Sequence, residues 1–183
     1  MTARGDSGEA IAGLVASRVL DVPDFPKAGI VFKDLMPVFA DGPTFRSAMD
    51  AIVEHHGRDS FDVVAGIEAR GFVIAAAVAY AAGVGVVPVR KAGKLPRKVL
   101  SATYALEYGE ATLELHADAF TAGQRVLVVD DVLATGGTAA ATLGLIEQAG
   151  GTVTGFSVLL ELEFLGARAK LAPRDVHALL AVA

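Results

Sequence analysis

The chain has no cysteine, which excludes disulfides and any metal site built on thiolates. Basic charge is scarce: 16 lysines and arginines face 21 aspartates and glutamates, for a formal net charge of −5. General nucleic-acid binding leaves a basic footprint, so no nucleic-acid partner is expected. The N-terminus, with Arg4, Asp6 and Glu9, lacks the apolar core of a secretory signal. Gly71–Val89 runs without a charge and approaches membrane-spanning length. Gly83, Gly85 and Pro88 break it, however, and its many alanines gain little from lipid. A helix, a glycine turn and a buried strand fit it better, so the protein is expected off the membrane and in the cytoplasm. No tract repeats at a fixed period and no linker separates parts, so residues 1–183 are expected to form a single domain. His55, His56, His116 and His177 show no metal-ligand spacing and read as structural or surface residues.

What is present supports a core. Hydrophobic residues make up 53% of the 183, enough for a chain of this size to bury about 70% of its unfolded surface. Ser7–Leu20 reads as an amphipathic helix through Ile11, Leu14, Val15 and Val19. Asp21–Asp34, with two prolines, a glycine and alternating apolar residues, reads as irregular. Helices are predicted at Asp41–His56, Gly71–Ala82 and Gly137–Ala149, and strands at Phe61–Gly66, Val84–Arg90, Arg125–Val129 and Thr152–Leu162. Between them, Ser101–His116 alternates around Gly109 as a β-hairpin would. Strands alternating with helices predict an α/β fold: a mostly parallel twisted sheet flanked by helices. Residues 1–34 would form an N-terminal hood beside it, and residues 100–117 a flexible β-arm.

The strongest chemical signal is Val126-Leu-Val-Val-Asp-Asp-Val-Leu-Ala-Thr-Gly-Gly-Thr138. An apolar strand ends in two carboxylates, and a small-residue loop then opens a helix. Ligands in open α/β sheets sit beyond the carboxyl ends of the strands. Ala134, Thr135, Gly136, Gly137 and Thr138 have little bulk, so backbone N–H groups can approach an anion, helped by the helix N-terminus and the threonine hydroxyls. Asp130 and Asp131 repel phosphate but suit the vicinal hydroxyls of a ribose. A 5′-phosphate in the loop and a ribose at the acidic pair form one coherent site. Neither the Gly-x-x-x-x-Gly-Lys-Ser/Thr loop nor a Gly-x-Gly-x-x-Gly after a strand is present. Glu68-Ala-Arg-Gly71 also follows a strand; Arg70 could fork onto phosphate oxygens and Gly71 opens a helix.

This loop resembles the phosphoribosyl pyrophosphate loop of the type I phosphoribosyltransferases. The likeness runs from about Pro23 to Pro173. It includes Asp24-Phe-Pro-Lys-Ala-Gly-Ile-Val-Phe-Lys-Asp34, Glu68-Ala-Arg-Gly-Phe72, Arg90-Lys-Ala-Gly-Lys-Leu-Pro96 and Leu106-Glu-Tyr-Gly109. The resemblance implies transfer of a phosphoribosyl group from phosphoribosyl pyrophosphate to N9 of adenine, giving AMP and pyrophosphate. It implies a homodimer, and Mg²⁺ held mainly by substrate oxygens, with no direct protein ligand assigned. Asp130, Asp131 and Ala134–Thr138 would bind the 5′-phosphate and ribose. Glu68, Ala69, Arg70 and Gly71 would bind pyrophosphate with Arg90, Lys91 and Lys94, partly across the dimer, and Tyr108 would help. Glu107 would act as the catalytic base toward the purine. Val31, Phe32 and Lys33 would hold the adenine, mostly through main-chain atoms, with Leu162 on its other face. Ala28 and Lys33 depart from the family pattern, where proline and arginine are common, and Met1–Ser7 match nothing.

Two other classes make different demands on the sequence. A non-catalytic sensor of phosphoribosyl pyrophosphate would carry an added nucleic-acid surface, which neither the length nor the acidic balance offers. A purely structural protein would show no stabilisation by ligand. Among enzymes, one acting on 6-oxopurines needs a donor to the C6 carbonyl, and no lysine stands convincingly near Leu162 to supply it.

Overall fold

The computed structural model describes residues 3–105 and 109–183. Its centre is a seven-stranded sheet of order β5-β6-β4-β3-β7-β8-β9. Strands β3 (Val63–Ile67), β4 (Gly85–Lys91), β7 (Arg125–Leu133), β8 (Thr152–Leu162) and β9 (Val176–Val182) pair in parallel. The hairpin of β5 (Val99–Ala105) and β6 (Glu110–His116) joins antiparallel to the end of β4. The α/β class expected from the alternation is therefore the observed one.

Strand periodicity divides the core between two faces. On β7, Leu127 and Val129 point to one face, where they pack with Val15, Ile52, Ile74 and Val78 from helices α1 (Ala3–Ala16), α3 (Gly42–His56) and α4 (Gly71–Ala82). Val126 and Val128 point to the other, against Leu143 and Ile146 of α5 (Gly137–Gln148). All of these side chains are essentially inaccessible to solvent. Helix α3 starts where Asp41 accepts hydrogen bonds from the Thr44 N–H (3.0 Å) and hydroxyl (2.5 Å). Helix α4 stops at Gly83, whose φ of 77° is the left-handed conformation that glycine adopts without a steric penalty. The charge-free Gly71–Val89 is thus helix, turn and strand. No helix among the described residues is long and apolar enough to cross a membrane.

Several expectations need correction. The first helix ends at Ala16, short of Val19 and Leu20, as the Ser17 hydroxyl takes the Leu14 carbonyl at 2.7 Å. Asp21–Asp34 is more regular than predicted: β1 (Leu20–Pro23) and β2 (Val31–Asp34) pair antiparallel, each too short for period-2 alternation to register. Strand β7 continues through Asp130 and Asp131 to Leu133, because β8 keeps pairing with it as far as Leu133 and Glu161. The short helices α2 (Met36–Ala40) and α6 (Arg168–Leu171) and the edge strand β9 were not anticipated.

Candidate active site

Two glycines let the loops at the sheet's carboxyl end converge. A Cβ on Gly66 would lie 2.6 Å from the Ala75 Cβ and 2.7 Å from the Gly71 carbonyl oxygen. A Cβ on Gly71 would lie 2.9 Å from Asp130 Oδ1 and 3.1 Å from the Val129 carbonyl oxygen. Their absence lets the first turn of α4 rest directly on the ends of β3 and β7. The loop at Glu68–Gly71 therefore abuts the acidic pair.

The two aspartates are not equivalent, although adjacent identical residues look alike in sequence. Asp131 is buried and ion-paired with Arg70 Nε, while the rest of the Arg70 side chain stays exposed at the site. Asp130 takes the Asp131 N–H at 2.9 Å. Burial, and then the adjacent Asp131 charge, push its carboxyl well above the usual aspartate range. The ion pair neutralises one carboxylate and leaves the other inclined to keep its proton.

Glu68 organises the cationic side. Its Oε2 accepts the Lys91 N–H at 2.9 Å and Arg90 Nε at 3.3 Å. The first of these contacts contributes most to holding its pKa below the ordinary glutamate value. The Arg90 guanidinium also lies over the Phe72 ring, 5.8 Å from its centroid, and donates to the Lys94 carbonyl at 3.5 Å. The Glu68–Ala69 peptide bond is cis. Glu68, Ala69, Arg70, Gly71, Arg90, Lys91 and Lys94 thus share one corner. Glu68 acts there by orienting cations.

The third part is the loop before α5. Gly136 caps that helix with φ 79°, and the unpaired N–H groups of the first turn open toward the loop. The Tyr104 ring on β5 would lie 3.3 Å from a Cβ at Gly137, and the Thr138 hydroxyl donates to the Tyr104 hydroxyl at 3.0 Å. Lys170 Nζ donates to the Thr135 carbonyl at 2.8 Å. Tyr104 and Lys170 were missed as site neighbours. Tyr104 stands out in sequence only as part of the hairpin alternation, and nothing links Lys170 to a loop 35 residues away.

Of the residues expected at the base, Val31, Phe32 and Lys33 lie together on β2. Lys33 Nζ is held by Asp21 at 2.7 Å, Phe32 meets Phe25 edge-on at 5.2 Å between centroids, and Val31 is exposed. Leu162 ends β8 and packs at the margin of the core. Leu106, Glu107 and Tyr108 lie outside the described residues.

Three of the four histidines, His55, His56 and His177, form a cluster that spacing did not suggest. His56 Nε2 and His177 Nδ1 share the buried Ser157 hydroxyl at 2.7 and 3.1 Å, and His55 stacks on His177 at 3.6 Å, 9° from parallel. Their ligand atoms lie within 4.8 Å of one another. Imidazole lone pairs lie in the ring plane, so two parallel stacked rings do not converge on one ion without rotating. Ser157 already occupies a nitrogen on His56 and one on His177. The arrangement is a packing network joining α3, β8 and β9.

A loop of small residues at a helix N-terminus, a carboxylate pair on the strand that leads into it and a cationic corner lie at the carboxyl end of the sheet, the arrangement expected of a sugar-phosphate site. The phosphoribosyl transferase domain family matches residues 40–177, and the chain belongs to that family. Among its relatives of high identity are proteins named adenine phosphoribosyltransferase. That of Salinispora arenicola is 79% identical over 179 residues, covering 98% of this chain and 95% of the relative. The crystal structure of the adenine phosphoribosyltransferase from Thermoanaerobacter pseudethanolicus superposes with a TM-score of 0.89 at 46% identity, covering 93% of this chain and 99% of that one. The Saccharomyces cerevisiae enzyme, solved with an iminoaltritol bisphosphate and adenine, gives 0.89 at 39% identity over 94% of this chain and 99% of its own.

Proposed function

We propose that this enzyme transfers the 5-phosphoribosyl group from phosphoribosyl pyrophosphate to adenine, forming AMP and pyrophosphate in purine salvage. The observation that carries the reading is the run from β7 into α5. It sets an anion loop at a helix N-terminus beside two carboxylates, in a chain 79% identical to a named adenine phosphoribosyltransferase. In this reading Ala134–Thr138 bind the 5′-phosphate through backbone N–H groups and hydroxyls. Asp130 and Asp131 accept from the ribose hydroxyls. Arg70, Arg90, Lys91 and Lys94 stabilise the charge that grows on pyrophosphate as its bond to C1′ breaks and the bond from N9 forms. Glu107 accepts the proton the purine loses. Val31, Phe32, Lys33 and Leu162 hold the base, and Tyr108 contacts the sugar-phosphate side.

Mg²⁺ belongs to the same reading. The donor set fits an ion carried by substrate: Arg70 already neutralises Asp131, so the aspartate pair offers little as a protein cage, and Mg²⁺ keeps waters and takes phosphate oxygens readily. When bound, it would neutralise pyrophosphate charge. The remaining elements are a single domain, cytoplasmic location and a homodimer.

The test is pyrophosphate release from phosphoribosyl pyrophosphate with Mg²⁺ and adenine, hypoxanthine or guanine in turn. Release with adenine alone, accompanied by AMP, is expected. Release with a 6-oxopurine instead would overturn the base assignment. Glu107→Ala should lower kcat at least about 100-fold; a change under threefold would remove its acid–base role.

A further inference from the structure

Lys170 lies outside every segment assigned above, yet its ammonium reaches into the phosphate loop. A loop that turns successive N–H groups toward an anion must turn its carbonyls elsewhere, because a carbonyl dipole facing the anion opposes it. The exposed Thr135 carbonyl points to Lys170 Nζ at 2.8 Å. A lysine on a mobile element would hold that carbonyl weakly. This one sits on α6, a four-residue turn far too short to persist without support.

Its support is unusually firm. Arg168 grips the buried Glu161 of β8, with Nε 2.9 and 3.0 Å from the two carboxylate oxygens and Nη2 2.6 Å from Oε2. Its Nη1 donates to the Val176 carbonyl of β9 at 2.8 Å. Glu161 is 2% exposed, so loss of its partner would strand a buried charge. Leu171 is fully packed, and Ala167 lies against the loop itself. A Cβ at Gly136 would come within 3.2 Å of both the Ala167 Cβ and its carbonyl oxygen. Strand β8, helix α6 and the loop are thus locked together, with Lys170 as the polar contact.

We propose that Lys170 is a positioning residue for the sugar phosphate: by holding the Thr135 carbonyl outward it keeps the loop's N–H groups aimed at the 5′-phosphate. This rests on the reading that the loop binds that phosphate. The test uses the full-length enzyme and the variants Lys170→Met and Lys170→Arg. Steady-state kinetics would vary phosphoribosyl pyrophosphate and adenine separately, with Tm recorded for each protein. Lys170→Met keeps the stem and removes the donor. It should raise KM for phosphoribosyl pyrophosphate about 10-fold, the scale of one hydrogen bond to a charged group. KM for adenine, kcat and Tm should stay near the parent, and Lys170→Arg should recover most of the loss.

An unchanged KM for phosphoribosyl pyrophosphate in Lys170→Met would overturn the proposal. So would a rise in both KM values together with parallel losses of kcat and Tm, which marks general damage. A parent protein that does not bind phosphoribosyl pyrophosphate would overturn the functional reading and this inference together. A parent that binds it beside an unaffected Lys170→Met would overturn this inference alone.

Discussion

Asp131 gives its carboxylate to Arg70, while Asp130, one residue on the other side of the pleat, carries the cost of burial beside a like charge. Its raised pKa means the native state keeps a proton that the unfolded chain releases. Stability from this group is therefore lost as pH rises above the ordinary aspartate value of 3.8. Asp130→Asn removes both the burial of charge and the repulsion, so it should raise Tm at pH 8. In the proposed reaction it also replaces the carboxyl that accepts from a ribose hydroxyl, and kcat/KM should fall at least about tenfold. A Tm below the parent's, or undiminished activity, would contradict the assignment. His56 and His177 act with the opposite sign. Burial, followed by the neighbouring His55, holds each at about 4, below the ordinary 6.5. The unfolded chain then takes up protons that the fold refuses, so their contribution is intact above pH 6.5 and is lost as pH falls toward 4. Urea midpoints followed from pH 7.5 to 4.5 should show this decline, and His56→Gln should flatten it.

At the scale of elements, the site depends on how closely α4 lies on β3 and β7. Gly66→Ala would place a methyl 2.6 Å from the Ala75 Cβ, inside a helix that has nowhere to retreat. Overpacking of this kind costs about 1–3 kcal/mol, measurable as a lower urea midpoint. Gly71→Ala presses instead on Asp130 Oδ1 and should impair catalysis more than stability. Some of this architecture was legible in sequence. Helix α4 could be bounded because its apolar run meets Gly83, and β8 because a segment rich in β-branched and large apolar residues follows Gly150 and Gly151. The loop at Ala134–Thr138 was legible because anion binding by backbone demands small residues in succession. What stayed hidden was long-range. The Arg70–Asp131 pair spans 61 residues, Ser157 bridges histidines from two other elements, and β9 is a short edge strand recognisable only by its partner β8. Local pattern carries no information on such pairings.

For the molecule as a whole, the exposed side of α4 bears on assembly. The helix is apolar on every face, a composition expected of a helix covered all round. Within the single chain it is covered on one side only. Val73 is 51% exposed and Tyr80 is 90% exposed, with Ala76 on the same outward stripe. A second copy of the chain would cover that stripe, in keeping with the homodimer proposed above. On that view Ala76→Arg puts a charge in the centre of the interface. Light scattering should give the parent twice the 18.8 kDa chain mass and the variant a single chain mass. Because the Arg90–Lys94 segment is expected to serve pyrophosphate partly across the dimer, kcat/KM for phosphoribosyl pyrophosphate should fall with the mass, by about tenfold or more. A variant that remains dimeric would move the interface off α4, and a fully active monomer would mean that each chain holds a complete set of pyrophosphate contacts.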